Sequence, residues 1–251
     1  MFKTLLARAR QGHRTGSYPS QDPTFPALFR GRPEIEPSPC ISGCAECIEV
    51  CPTGALSVSE TGPHLDLGAC IFCTECSAAC PEEVISFTRD WRLAGSGRSD
   101  LVVNGNQRPR VEELGRTLRR LVGRSLRLRQ VSAGGCNGCE VEVNALGNVV
   151  FDSSRFGIEF VASPRHADGI LVTGPVTANM KEALRITYEA VAEPKLVIAA
   201  GACAISGGLF SDFTEVANGI TELPVDLYVP GCPPHPLTIL DGLLRLLGRG
   251  E

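Results

Sequence analysis

Cys70-Ile71-Phe72-Cys73-Thr74-Glu75-Cys76-Ser77-Ala78-Ala79-Cys80-Pro81 separates its four cysteines by two, two and three residues and ends on proline. Three thiolates at that pitch wrap one iron-sulfur cubane, while the fourth, displaced by the longer gap, reaches a neighbouring one. The stretch therefore reads as half of a paired site. The other half lies upstream, where Cys40, Cys44, Cys47 and Cys51 are again followed by proline and a short apolar run. The gap between Cys40 and Cys44 is one residue longer than usual, and Gly43 is the residue able to absorb it in a left-handed or bulged conformation.

The duplication predicts a crossed ligation of two 4Fe-4S clusters: Cys40, Cys44 and Cys47 with Cys80, and Cys70, Cys73 and Cys76 with Cys51. Residues 40–92 accordingly read as a small α+β, two-cluster ferredoxin-like domain. Upstream, residues 1–39 are rich in Pro, Arg and Gly after a short helical start, and read as an arm wrapping other surfaces rather than entering a core, so that removing 1–30 is expected to leave the clusters in place. Phe2, Leu5 and Leu6 form one apolar face of that first helix, with Lys3, Arg8 and Arg10 around it. Downstream, residues 93–125 read as a linker, Gly95 to Arg110, followed by a connecting helix over 109–124 whose apolar side is Val111, Leu114, Leu118 and Leu121.

From Leu126 to the end, short apolar runs alternate with helical patterns. LRLRQV, IEFVA, GILVT, KLVIAA and VDLYV are the expected strands, and Ala178–Val191 and Leu237–Leu247 the clearest helices. Buried strands separated by amphipathic helices predict a parallel sheet with helices on both faces, whose binding site is built by loops at the carboxyl ends of strands. The four remaining cysteines fall at such positions: Cys136 and Cys139 after the first strand, Cys203 after KLVIAA and Cys232 after VDLYV. Glycines beside each let backbone amides approach sulfur, as a third 4Fe-4S cluster requires. Four thiolates are also what a structural zinc takes, and spacing alone leaves both readings open.

Composition narrows the function classes. At 251 residues and 43% hydrophobic content the chain is large enough for two modest cores. A net charge of -4 with no long basic run argues against nucleic acid. Twelve cysteines at cluster spacing point to a reducing compartment rather than a disulfide framework. The N-terminal MFKTLLARAR lacks the apolar core and cleavage site of a secretory signal, and no window approaches the roughly 18 apolar residues of a membrane span, so the chain is expected in the cytoplasm.

Over nearly its whole length the sequence resembles known families. Tyr18-Pro19, Phe29-Arg-Gly-Arg-Pro-Glu34 and the paired cysteine motifs look like the ferredoxin subunit of formate hydrogenlyase and related group 4 membrane-bound NiFe hydrogenases. Cys136-Asn-Gly-Cys-Glu-Val-Glu142, Arg155-Phe-Gly-Ile-Glu159, Ser163-Pro-Arg-His-Ala-Asp168, Thr173-Gly-Pro-Val-Thr177, Gly201-Ala-Cys-Ala-Ile-Ser-Gly-Gly208 and Val229-Pro-Gly-Cys-Pro-Pro-His-Pro236 resemble the small subunit of those enzymes. They are also similar to the quinone-facing cluster subunit of respiratory complex I. That subunit carries adjacent cysteines, whereas Cys136 and Cys139 have two residues between them, which favours the hydrogenase branch.

The resemblance implies that residues 126–251 form a flavodoxin-like α/β domain whose cluster, on Cys136, Cys139, Cys203 and Cys232, lies next to a metal centre in a separate large subunit. The whole chain would then be a fused electron-transfer subunit of an oxidoreductase complex, with three 4Fe-4S clusters, no catalytic residue of its own, and membrane-embedded and soluble donor or acceptor subunits as partners. It would sit on the cytoplasmic face of the inner membrane through those partners. A complex I-type quinone-reducing module, or a hydrogenase-related complex without nickel, is the alternative. In the related families an acid near Glu140 and Glu142 lies at the subunit junction, which implies proton handling; acids favoured by a helix dipole are the competing reading. Arg165 and His166 are placed to add positive charge near the third cluster or to make an ordinary loop hydrogen bond.

Overall fold

In the computed structural model, which describes residues 2–12, 14–36, 44–59, 62–122 and 124–250, ten strands and eight α-helices are present among the described residues. The first half of the chain contributes α1 (Phe2–Gln11), β1 (Pro33–Ile35), α2 (Glu46–Glu49), β2 (Leu56–Ser59), β3 (Gly62–Asp66), α3 (Glu75–Ala79), β4 (Ile85–Phe87), β5 (Val102–Val103) and α4 (Arg116–Val122). Antiparallel β1-β4 and the three-stranded β2-β3-β5 sheet enclose the two short helices that carry cysteine. This is the expected α+β ferredoxin-like unit.

The second half supplies β6 (Leu126–Ser132), α5 (Gly138–Ala145), β7 (Ile158–Phe160), β8 (Gly169–Thr173), α6 (Ala178–Glu189), β9 (Leu196–Ala200), α7 (Ala202–Ser206), β10 (Leu227–Val229) and α8 (Pro236–Leu246). All five strands are parallel, in the order β7-β6-β8-β9-β10, which is the flavodoxin-like order, with its topological switch between β6 and β8. Alternating side chains divide the core in two. Leu128, Leu171 and Ile198 meet α5 and α8 on one face, while Ile170, Val172 and Val197 meet Leu184 of α6 on the other. β8 and β9 are buried at every position, as central parallel strands with two covered faces must be.

Three expectations change. Residues 95–110 are not a free linker: Leu101 and Val103 are buried, β5 completes the sheet with β3, and Gly95 exchanges both backbone hydrogen bonds with Tyr228 next to the sheet of the second half. Its Gly and Ser content shapes a tight turn around two core side chains. The connecting helix is only Arg116–Val122; before Gly115 the chain has no regular secondary structure, with Leu114 N–H bonded to Leu246 O, and Leu121 is exposed. Apolar spacing there reflects packing of a non-helical segment against α8.

The segment after α1 is also not dispensable wrapping. Tyr18 and Phe25 are buried in the core beside Trp91 and α8. Tyr18 Oη donates to Asp241 Oδ1 at 2.9 Å, and Arg155 donates to the carbonyls of Gly16 and Tyr18. Removing 1–30 would strip a buried carboxylate of a partner and uncover α8, so loss of packing rather than clean truncation is its consequence.

Candidate functional site

Cys70 and Cys73 lie on the loop before α3, Cys76 within α3 and Cys51 just past α2. The loop curls because Phe72 (φ 57) and Thr74 (φ 71) take left-handed conformations. That turns amides inward: Phe72 N–H donates to Cys70 Sγ and Ala55 N–H to Cys51 Sγ, both at 3.3 Å. Cys51, Cys70, Cys73 and Cys76 line one small, tight cavity with Leu56, Leu65 and Phe87. Burial, reinforced by the neighbouring thiols, pushes Cys70 up to about 12 and Cys76 up to about 11. Such thiols give up protons only to a strongly cationic centre. Among the described residues no three Cys, His, Asp or Glu side chains converge on a single ion; these four sulfurs surround a space instead, which suits a cluster bound at its corners.

Of the other ferredoxin-like set, Cys47 is buried on α2, within electrostatic reach of Cys76, while Cys44 and Cys80 are half-buried. Cys40 lies outside the described residues.

The third set assembles at the carboxyl edge of the parallel sheet. Cys136 and Cys139 follow β6, the latter inside α5, entered through left-handed Asn137 (φ 71); Cys203 lies in α7 after β9 and Cys232 after β10. Burial raises the Cys139 thiol, and the charges of Cys203, Glu140, Cys232 and Cys136 raise it further. Cys203 is pushed up to about 11 by burial, then by Cys232 and Cys136. Gly201 makes room for the set: its φ is +93°, and a Cβ there would stand 2.5 Å from Cys139 Sγ. Four thiols from three loops, in a cradle open only because glycine lacks a side chain, fit a 4Fe-4S cluster. Cys136 and Cys232 are exposed, so this site opens to the surface.

Glu140, 7% exposed, accepts from Ser132 Oγ at 2.6 Å and Thr173 Oγ1 at 2.7 Å, tying the ends of β6 and β8 at the switch point. Burial alone would raise its pKa, but the two hydroxyls outweigh it and hold the carboxyl below the usual range. Glu142 has only burial acting on it, and its pKa is raised. Arg165 and His166 are exposed on a 3-10 turn.

The sequence reading missed the cleft between two of these sites. Phe29, Arg30, Phe72, Cys73, Cys232 and His235 line it, and Arg30 Nη1 donates to the carbonyls of Phe72 and Cys73 at 3.3 and 3.2 Å. His235 Nδ1 accepts from Leu237 N–H at 3.2 Å, capping α8, and its ring meets Phe25, Phe29 and Phe151 edge-on. Arg30 sits in the Phe29–Glu34 motif and His235 in the Val229–Pro236 motif, so a signal was there for both, but only the structure brings the two to one cleft.

Burial lowers the His235 pKa to about 4, below the roughly 6.5 of an unfolded histidine. The unfolded chain therefore takes up the proton first, and stability falls as pH drops from about 6.5 toward 4. His235→Asn keeps a capping acceptor without the titration. Its thermal midpoint is expected to decline less between pH 7 and 5 than that of the native chain; equal slopes would rule out a buried neutral His235.

Residues 136–246 match the family described as NADH ubiquinone oxidoreductase, 20 Kd subunit. The probable membrane-bound hydrogenase subunit mbhJ of Pyrococcus furiosus is 43% identical over 150 residues, 59% of this chain and 89% of that protein. The chain belongs to the 20 Kd subunit family. Formate hydrogenlyase subunit 7 of Escherichia coli is 44% identical over 136 residues, 54% of this chain and 53% of that protein. An NADH-quinone oxidoreductase subunit of Citrifermentans bemidjiense is 51% identical over 109 residues, 43% of this chain and 64% of that protein. Ahead of the family region, residues 32–56 match a 4Fe-4S binding domain, so this member carries 4Fe-4S-binding sequence fused in front. Among the described residues no helix is long and apolar enough to cross a membrane.

Proposed function

We propose that the chain is the electron-transfer subunit of a membrane-associated, group 4 NiFe hydrogenase-type complex, relaying electrons through three 4Fe-4S clusters to or from a separate catalytic large subunit. The observation that carries this reading is the convergence of Cys136, Cys139, Cys203 and Cys232 at an exposed sheet edge, beside the cavity of Cys51, Cys70, Cys73 and Cys76. When bound, each cluster supplies reversible single-electron chemistry, and the chain supplies spacing, insulation and tuning. Cys44, Cys47 and Cys80 with Cys40 complete the ligand sets. Functionally, residues 1–39 form an arm built into the core at Tyr18 and Phe25, 40–92 the two-cluster unit, 93–125 a connection packed onto both units, and 126–251 the unit that meets the large subunit.

The shared cleft supports an order of transfer. Because Cys73 and Cys232 line it together, the Cys51-Cys70-Cys73-Cys76 site is the one that exchanges electrons with the third. The large subunit covers exposed Cys136 and Cys232; exposed Leu209, Phe210 and Phe213, following Cys203, supply apolar contact area. A soluble donor or acceptor subunit meets the opposite end, and membrane-embedded subunits hold the assembly at the cytoplasmic face of the inner membrane. Glu142 is the better proton carrier at the junction, since Glu140 stays ionised in its hydroxyl bonds.

The second reading is a complex I-type quinone-reducing module, which the likeness to the NADH-quinone oxidoreductase relative favours. The two residues between Cys136 and Cys139 weigh against it. Anaerobically purified protein is expected to carry about 12 iron and 12 acid-labile sulfide per chain. Zinc in place of one third of that iron would overturn the relay.

A further inference from the structure

We infer that α1 lies flat on an anionic bilayer, anchoring the chain to lipid directly rather than only through partner proteins. All ten residues of the helix Phe2–Gln11 are exposed, with Phe2 77%, Leu5 62% and Leu6 43% accessible. At a 3.6-residue period Phe2, Leu5, Leu6 and Ala9 share one stripe. Lys3 and Arg10 fall about 100° to one side of the stripe's centre and Arg8 about as far to the other, while Thr4, Ala7 and Gln11 occupy the back. Basic side chains on both flanks of an apolar stripe are placed to snorkel: their stems lie along the acyl boundary and their heads reach the phosphates.

Charge selects the occupant. The first 21 residues hold four basic residues, Lys3, Arg8, Arg10 and Arg14, and none of the chain's 28 acidic ones, although the whole chain is net -4. A helix facing water on its back would ordinarily carry acids in i,i+4 pairs with such bases, and a protein groove would need carboxylates along both rims. A surface of anionic headgroups meets both flanks at once. The helix is also held close to the body. Gly16 N–H bonds to Val150 O at 2.8 Å, so four residues, a span of at most about 18 Å, separate the helix end at Gln11 from the anchor. Val149 and Val150 are themselves exposed there, giving a second apolar contact at the same edge.

The proposal does not depend on the redox assignment, because iron content reports that separately. The test is sedimentation of the full cluster-loaded chain with vesicles of equimolar phosphatidylglycerol and phosphatidylcholine, and with phosphatidylcholine alone. Binding is expected on the anionic vesicles and to weaken with added salt. Lys3→Gln, Arg8→Gln and Arg10→Gln together should weaken it about a hundredfold, and Leu5→Gln with Leu6→Gln by tenfold or more, roughly. Since none of these side chains is buried, iron content and thermal midpoint should stay unchanged. Equal binding to both vesicle types, binding indifferent to these substitutions, or no vesicle binding while the same variants fail to assemble with partner subunits would each overturn lipid docking, the last in favour of a protein groove.

Discussion

Cys139→Ser is expected to lower iron from about 12 to about 8 per chain and to abolish electron delivery to the large subunit. Cys139 is the thiol that the other three of its set, Cys136, Cys203 and Cys232, all act upon, and none of them has a local substitute because they arrive on three separate loops. Serine is nearly isosteric but ligates iron far less readily, so the fold should survive while the site empties. The sites among the Cys-Pro repeats draw on different sulfurs and should still be reducible, which anaerobic spectroscopy of the variant can show. On the proposed relay, activity of the assembled complex should nevertheless collapse, since electrons lose their last station before the large subunit. Sustained hydrogen-dependent or dye-linked turnover in a variant shown to lack that iron would refute the route through this site.

Gly201→Ala should be nearly as damaging, without touching a ligand. At φ +93° and ψ 152° the residue occupies a region open essentially to glycine alone, and the added Cβ would come within 2.5 Å of Cys139 Sγ. Either the helix start or the thiol must shift. Backbone strain of about 1–3 kcal/mol is then joined by misplacement of a ligand. Loss of the third site's iron and a clear fall in thermal midpoint are expected. Gly54→Ala is the control: φ is +60° and nothing lies within 4 Å, so the cost is only about 1–2 kcal/mol, with iron intact. Full iron and a native midpoint in Gly201→Ala would show that the modest cradle has room after all.

How far the sequence could be read follows from the range of each signal. The Cys70–Pro81 spacing encodes cluster wrapping because three thiols on one short loop have little freedom; β8 and β9 were legible because central parallel strands require unbroken apolar runs, and β6 because its apolar residues alternate. The stretch 95–110 was misread as a linker since Gly and Ser mark both loops and tight turns, and only the partners of Leu101 and Val103 separate the two. Tyr18 and Phe25 looked like arm residues because nothing local announces that Asp241 and Trp91 await them.

The sequence by itself therefore determined the cysteine spacing within each loop, the alternation of strand and helix, and the residue types a cluster needs. These are properties of a few successive residues. Only the tertiary structure decided which distant thiols face one another: the strand order β7-β6-β8-β9-β10 brings Cys203 and Cys232 to Cys139, sets Gly201 against its sulfur, and makes Cys73 and Cys232 share a cleft. No local pattern carries that information, because sheet order is chosen by the burial of both faces of the sheet together, a property of the whole chain.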